Sequence, residues 1–315
     1  MIDYTEAEET VFESTFQTMI QNIRNRGGGV TVDDIITIMR TMQQYKMDGH
    51  CVIAGQNGVG KSHLLMIILK EYFRKFHNLN WVDFCLPNGE QTTVPNMILA
   101  RHTTNDLVRF ILENEQTICG IDEFNRFMSY KQHMYEEQNN LMTNFELGRS
   151  KSIAFFGCIR DPRKISLNYR NGKMSVVIWI IDRYKAGGSY AAIFVANPSV
   201  ENDDRFGFDT MGQDLTHFNM VRQVFENLPS FVGYMYIQHS SEFISEEELS
   251  KYEIEKNKAM AIAHIQSVIK RYIKKEISMT ELLWEKARVL ETGQIQEDDI
   301  KRFMPNVAQK RITEN

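Results

Sequence analysis

The sequence predicts an α/β fold with a mostly parallel central sheet, flanked by helices, and with helical additions at both ends of the chain. Between residues 50 and 197, short apolar runs alternate with amphipathic stretches, which is the pattern of strands joined by crossover helices. Outside that region the spacing of apolar residues is mainly helical. The 315 residues, 43% of them hydrophobic and 24% charged, suit a globular chain of one large or two ordinary domains.

A helical arm is predicted over residues 1–46. Apolar residues within 5–24 recur at helical spacing, and the glycines of 27–29 end that helix. Thr31 then precedes a second amphipathic stretch and is its expected N-cap, because a threonine side chain there accepts a hydrogen bond from a backbone N–H of the first turn. The rest of the chain is predicted to divide into a core over 47–209 and a mainly helical C-terminal region over 210–315.

The core strands are predicted at the apolar runs 50–55, 81–86, 117–122, 152–159 and 175–182. The helices between them are predicted at 61–75, 104–114, 132–147 and 162–170. Because Gly187–Gly188 suits a tight turn, the run 190–197 is predicted to add an antiparallel strand. In the C-terminal region, helices are predicted at 214–228, 245–276 and 278–291, with a short apolar stretch at 231–237.

Residues 55–62 read GQNGVGKS and fit the phosphate-loop pattern GxxxxGK[ST] between a predicted strand and a predicted helix. Glycines allow the backbone to curl so that successive N–H groups face phosphate oxygens, and the helix N-terminus adds positive potential. Lys61 is expected to reach the β- and γ-phosphates, and the Ser62 hydroxyl to bind Mg²⁺. The predicted nucleotide-binding residues are Gly55, Gln56, Asn57, Gly58, Val59, Gly60, Lys61, Ser62 and His63.

An acidic pair, Asp122–Glu123, stands at the end of the apolar run 117–122. A carboxylate at the end of a strand beside the phosphate loop is expected to hold Mg²⁺, so Ser62 and Asp122 are the predicted metal residues. Glu123 is expected to polarise the attacking water, which predicts hydrolysis rather than nucleotide storage. The sequence has no [NT]KxD signature for guanine, so the predicted cofactors are ATP and Mg²⁺.

The order of these motifs resembles that of the additional-strand P-loop ATPases that move DNA, namely the HerA–FtsK pumps and the viral genome-packaging ATPases, including large-terminase motor domains. The resemblance covers about residues 50–200, with Walker A at Gly55–Ser62 and Walker B at Asp122–Glu123. It implies a P-loop NTPase fold and an ATP-driven motor that moves double-stranded DNA. It also implies a homo-oligomeric ring of about five or six subunits, with a viral portal or another assembly protein as partner.

Three arginines gain candidate roles from the same resemblance. Arg149 has the place of an arginine that reaches the γ-phosphate of the neighbouring subunit, a contact that can speed phosphoryl transfer by ~10³–10⁵. The alternative for Arg149 is a surface residue that caps a helix C-terminus. Arg160 stands where the pumps usually have a polar sensor such as Gln, Asn, Ser or Thr, which is a departure from the family pattern. Arg170 matches an arginine that enters the next strand, and its alternative is a loop arginine paired with an acid.

Contacts with DNA are expected from clustered basic residues, because phosphate backbones are bound mainly by lysine, arginine and backbone amides. One cluster comprises Lys151, Arg163, Lys164, Arg170 and Lys173. Another comprises Lys256, Lys258, Lys270, Arg271, Lys274 and Lys275. The alternative for the second cluster is a solvated helix face. The net charge of −5 argues against a wholly basic surface.

Two other functions remain open. An AAA+ helicase loader or initiator of DNA replication is one, because GKSHL (60–64) is a common phrase in loaders and a helical arm suits partner binding. Against it, the tail has no clear three-helix lid with a sensor arginine. The other is a non-motor assembly ATPase related to the Zot proteins, although their usual membrane-spanning segment is missing here.

Cysteine spacing and hydropathy exclude further classes. The four cysteines lie far apart without a CxxC pair, which predicts buried thiols in a reducing compartment rather than a zinc site. The acidic N-terminus lacks the apolar region of a signal peptide, and no apolar run approaches the ~18 residues of a membrane span. The expected location is therefore the cytoplasm, or the host cytoplasm for a viral protein, with no membrane partner.

Overall fold

The computed structural model describes residues 6–27, 29–76, 84–85, 91–92, 97–98, 104–124, 136–184, 187–196, 205–208, 223–238 and 243–303. By their contacts these residues form two compact units. The first holds the described residues before 99 and from 104 to 245, and the second those from 246 onward. The domain limits 1–46, 47–209 and 210–315 stay a prediction.

The strands in chain order are β1 (His50–Ala54), β2 (Phe84–Cys85), β3 (Gln91–Thr92), β4 (Met97–Ile98), β5 (Ile118–Ile121), β6 (Ala154–Ile159), β7 (Met174–Tyr184), β8 (Gly188–Val195) and β9 (Phe231–Gln238). The helices are α1 (Glu6–Asn25), α2 (Val32–Gln44), α3 (Lys61–Phe76), α4 (Thr104–Glu113), α5 (Glu136–Ser150), α6 (Leu167–Gly172), α7 (Glu246–Ile273), α8 (Met279–Glu291) and α9 (Glu297–Phe303).

A seven-stranded sheet in the order β4-β5-β6-β1-β7-β8-β9 forms the centre of the first unit. The pairs from β4 to β7 are parallel, and β8 and β9 join antiparallel at one side. All five residues of β1 are buried, as expected for a strand in the middle of a parallel sheet that is covered on both faces. The predicted α/β architecture with a mostly parallel sheet is confirmed.

Helices pack on both faces of this sheet. On one face, a methyl group built on Gly120 of β5 would lie 2.9 Å from the Leu69 side chain and 3.2 Å from the Leu65 side chain of α3. On the other face, alternate residues of β1, β5 and β6 share a buried cluster with Phe110 of α4 and Phe145 of α5. The sheet therefore fixes the ends of β1, β5 and β6 next to one another.

The first helix packs against β9 at the antiparallel side of the sheet, whereas the second packs against α3 and β6. Thr31 caps α2 as predicted, in a capping box with Asp34. The Val30 N–H donates to the Tyr234 carbonyl of β9 at 2.8 Å, and the Arg24 guanidinium donates to the carbonyls of Pro229 and Phe231. By these contacts the helical arm belongs to the same unit as the sheet.

Two strand predictions need correction. Of the predicted core strand 81–86, only 84–85 lies within the described residues, and it pairs antiparallel with β3 in a separate two-stranded sheet. The outer parallel neighbour of β5, on the side away from β6, is instead β4, which is too short to give a pattern in the sequence. The apolar stretch 231–237 forms β9, although the C-terminal region was predicted to be mainly helical. Its partner β8 is distant in sequence and no tight turn joins them.

The second unit contains three helices, α7, α8 and α9. Ile262, Ile265 and Ile269 of α7 share a buried cluster with Leu282 of α8 and Ile300 of α9. The predicted helices at 245–276 and 278–291 are confirmed, and α9 packs with them as a third helix. The third helix has only seven residues, too few to give a helical period. Among the described residues no helix is long and apolar enough to cross a membrane.

Candidate functional site

The phosphate-loop motif forms the turn between β1 and α3. Gly55 has φ +149°, and a methyl group there would lie 2.8 Å from the Ile180 carbonyl oxygen and 2.9 Å from the Val59 side chain. Gly58 and Gly60 have φ values of +81° and +98°. These conformations favour glycine strongly, so the motif glycines are required by the shape of the loop.

Neighbouring strands hold the loop at both sides. The Gly55 N–H donates to the Ile159 carbonyl at the end of β6, at 3.2 Å. The hydroxyl of Ser189 in β8 donates to the Val59 carbonyl at 2.7 Å. Ser189 is fully buried and was not predicted from the sequence, since a serine after two glycines carries no distinctive signal. Both contacts keep the loop in its curled form.

Lys61 directs its charge into the loop. Its Nζ donates to the carbonyl oxygens of Gly55 and Gln56, at 2.9 and 2.8 Å. Because Lys61 is also the first residue of α3, its ammonium group and the positive end of the helix act on the same region. The loop therefore has the charge and the backbone geometry that suit a polyphosphate.

Ser62 and Asp122 meet although they are far apart in sequence. The Ser62 hydroxyl donates to Asp122 Oδ1 at 3.0 Å, and Asp122 is only 3% exposed at the end of β5. A hydroxyl and a carboxylate beside bound phosphates are the oxygen donors that Mg²⁺ uses, with one or two carboxylates sufficing. The pair therefore fits Mg²⁺. No group of three or more His, Cys, Asp or Glu that could hold a metal occurs in the described part of the chain.

Glu123 follows directly and is partly exposed at the same end of the sheet. Its φ is +61°, in the left-handed region that non-glycine residues rarely adopt. The turn that carries the carboxylate is therefore locally strained, a property that is common at functional sites.

Arg160 also reaches the loop. It stands just after β6, and its Nε donates to Gln56 Oε1 at 3.1 Å. The structure thus brings Lys61, Asp122 and Arg160 to the same end of the neighbouring parallel strands β5, β6 and β1. They lie around the phosphate loop, which follows β1. Asn57 lies in the phosphate loop, and His63 lies in the first turn of α3.

Arg149 lies elsewhere. Its Nη1 is 3.8 Å from Asp48 Oδ2, and Asp48 precedes β1 whereas the phosphate loop follows it. Lys173 is 3.3 Å from the same carboxylate. Burial raises the pKa of Asp48, and the charges of Lys173 and Arg149 oppose that rise. Arg149 is therefore separated from the loop of its own chain by the length of β1.

Two of the five residues in the first predicted DNA-contact cluster are buried, and contact of the cluster with DNA stays a prediction. Arg170 and Lys173 are 4% and 7% exposed, and Lys173 pairs with Asp48. Arg163 pairs with Asp161 at 3.0 Å and lies over the Trp179 ring. A lysine is usually exposed, but the pairing of Lys173 with Asp48, which is distant in sequence, allows Lys173 to be buried.

In the second predicted DNA-contact cluster, a lysine is paired within the helical unit, and the cysteines of the seven-stranded sheet are buried. Lys258 of α7 pairs with Asp299 at 3.0 Å within its own unit. Cys51, Cys119 and Cys158 are buried and are not joined in disulfides, as predicted. The side chain of Cys85, the fourth cysteine, lies outside the part of the chain that the structure describes.

Comparison with known proteins gives a distant likeness among solved structures. The chain matches no protein-family model and no curated protein. Among solved structures it is similar to the N-terminal domain of zonular occludens toxin from Neisseria meningitidis, with 16% sequence identity and a TM-score of 0.33. The alignment covers 47% of this chain and 84% of that one. A likeness this distant establishes neither a shared fold nor a shared activity.

Proposed function

We propose that this chain is a Mg²⁺-dependent P-loop ATPase whose ATP turnover drives the movement of double-stranded DNA. The observation that carries the ATPase part is the hydrogen bond of 3.0 Å between Ser62 and Asp122, beside a glycine loop that surrounds the Lys61 ammonium group. Glycines, lysine, hydroxyl and carboxylate thus meet at one end of the sheet, in the context that the motif requires.

Each side chain has a role in hydrolysis. The loop N–H groups and Lys61 bind the β- and γ-phosphates, and Ser62 and Asp122 would hold Mg²⁺, which when bound supplies positive charge against the phosphate oxygens. Water attacks the γ-phosphorus, a new P–O bond forms, and the bond to the ADP oxygen breaks. Glu123 accepts the proton of that water. Arg160, next to Gln56, stabilises charge on the γ-phosphate side of the loop.

The additional-strand class is supported by the strand order. β6 lies between β1, which leads into the loop, and β5, which ends in the acidic pair. An extra strand at that position is the feature for which the class is named. The movement of DNA is inferred from the resemblance to the HerA–FtsK pumps and packaging ATPases, and not from an exposed basic surface.

Arg149 is proposed to act on the nucleotide of a neighbouring subunit in a ring of about five or six copies. Its position at the opposite end of β1 from the loop supports action in trans rather than in cis. The test mixes Arg149→Ala subunits with Glu123→Gln subunits, each inactive alone. Restored ATP turnover at intermediate ratios is expected, and no restoration at any ratio would remove the trans role.

A second candidate is an AAA+ helicase loader or initiator. The observation in its favour is that α7, α8 and α9 pack into a compact helical unit that follows the sheet strands along the chain, although the sensor arginine of such a lid has no counterpart assigned here. Stoichiometric binding to a replicative helicase, without movement along DNA, would select it over the motor.

The deciding experiment measures ATP hydrolysis by the full chain with and without Mg²⁺ and duplex DNA. Glu123→Gln should keep ATP binding and lose turnover by about 10²–10⁴-fold. Glu115→Gln, an exposed glutamate eight residues earlier, is the matched control and should retain turnover. DNA-stimulated turnover with displacement of a protein roadblock supports the motor. Absence of Mg²⁺-dependent hydrolysis, alone and with DNA, would refute the proposal.

A further inference from the structure

Glu123 requires local support to keep its conformation. Its φ of +61° is uncommon for a residue with a side chain. A carboxylate that must meet an attacking water needs a fixed position, because a shift of about 1 Å in a reacting group can cost about 10²-fold in rate. The contacts of the next residue, Phe124, provide that support.

Phe124 is fixed through both its backbone and its ring. Its N–H donates to the Cys158 carbonyl of β6 at 2.9 Å, and its side chain is 1% exposed. The ring lies against Gly157, where a methyl group would be 2.7 Å from Phe124 Cγ. The Tyr169 ring packs against it with centroids 5.1 Å apart, and the Tyr169 hydroxyl is 2.7 Å from His50 Nδ1.

The absence of a side chain at position 157 is therefore what allows Phe124 to lie against β6. Gly157 is in register with Ile121, the last residue of β5 before the acidic pair. We infer that Gly157 and Phe124 are positioning residues, which hold the Glu123 carboxylate in its catalytic orientation without touching the substrate. This inference rests on the proposed ATPase function and adds two residues to it.

The first test is Gly157→Ala in the full chain. The added methyl must displace the Phe124 ring and with it the turn at Glu123, so kcat should fall about 10–100-fold with little change in ATP affinity. Gly120→Ala is the matched control, because it adds a methyl 2.9 Å from the end of the Leu69 side chain, on the opposite face of the neighbouring strand. It should leave kcat within about threefold of the unsubstituted chain. Equal falls in kcat for both variants would overturn the inference.

A double-variant cycle separates positioning from general damage. In a Glu123→Gln background, Gly157→Ala should cause no further loss of single-turnover rate, because both changes act through one carboxylate. The same 10–100-fold loss in both backgrounds would mean that position 157 affects the rate independently of Glu123, and would overturn the inference.

Folding and function are kept apart by two further measurements. If Gly157→Ala does not fold, as judged by circular dichroism, Phe124→Leu enters the same cycle, since it removes the ring but keeps an apolar side chain. Absence of ATP turnover by the unsubstituted chain overturns the proposed function, and the positioning role with it. Normal turnover by folded Gly157→Ala overturns the positioning role alone.

Discussion

Alanine at Gly55 should damage the phosphate loop more than alanine at Gly58. At Gly55 the new methyl lies 2.8 Å from the Ile180 carbonyl oxygen, a backbone atom held within β7. Overpacking of this kind costs about 1–3 kcal/mol, and a positive φ adds about 1–2 kcal/mol, so the total is about 2–5 kcal/mol. At Gly58 a methyl meets nothing within 4 Å, so only the cost of about 1–2 kcal/mol for its φ of +81° applies.

The two variants are compared by urea denaturation and by titration with a fluorescent ATP analogue. If the loop keeps its shape, the cost appears as lost free energy of unfolding. If the loop relaxes, the cost appears as lost ATP affinity. The sum of the two losses should be larger for Gly55→Ala by about 1–3 kcal/mol, equivalent to about 5–150-fold in affinity. Summed losses that agree within about 0.5 kcal/mol would refute the reasoning.

Three further predictions follow from the same geometry. Lys61→Ala removes the ammonium group from the loop, so ATP affinity measured by the same titration should fall about 10–150-fold. Asp122→Asn should raise the Mg²⁺ concentration for half-maximal ATP turnover about 10–100-fold, and an unchanged requirement would contradict the metal role. Lys173→Met leaves the buried Asp48 carboxylate with less compensation, which should lower the free energy of unfolding at pH 7 by about 3 kcal/mol. Burial raises the pKa of Asp48, and the removal of Lys173 would raise it further, so Asp48 takes up a proton more readily in the folded state than in the unfolded state. The loss of unfolding free energy caused by Lys173→Met should therefore become smaller as the pH is lowered from 8 to 5, as measured by urea denaturation.

The sequence predicts the site well where residue type and backbone shape are tied together. The spacing from Gly55 to Ser62 allows little besides a phosphate loop, and the apolar run before Asp122 sets it at a strand end. Parallel strands then bring these ends to one edge of the sheet. The meeting of Ser62 and Asp122 therefore follows from these local patterns together with the predicted parallel sheet.

The features that sequence analysis missed depend on distant partners. Lys173 is buried because Asp48 neutralises it across the fold, and no local pattern reports that pairing. Phe124 can lie against β6 only because position 157 is a glycine on another strand. Arg149 has the expected sequence position, but the sequence does not predict that it contacts Asp48, before β1, rather than the phosphate loop after β1.

The hydrogen bonds from Arg24 and Val30 to the last strand of the sheet have a consequence for handling the protein. An unprotected outermost strand can pair with other chains and promote aggregation. A shortened version that begins after residue 30 would lose these donors and leave the Phe231 and Tyr234 carbonyls available for intermolecular pairing. In the intact chain these two carbonyls are occupied, which disfavours extension of the sheet at this part of β9.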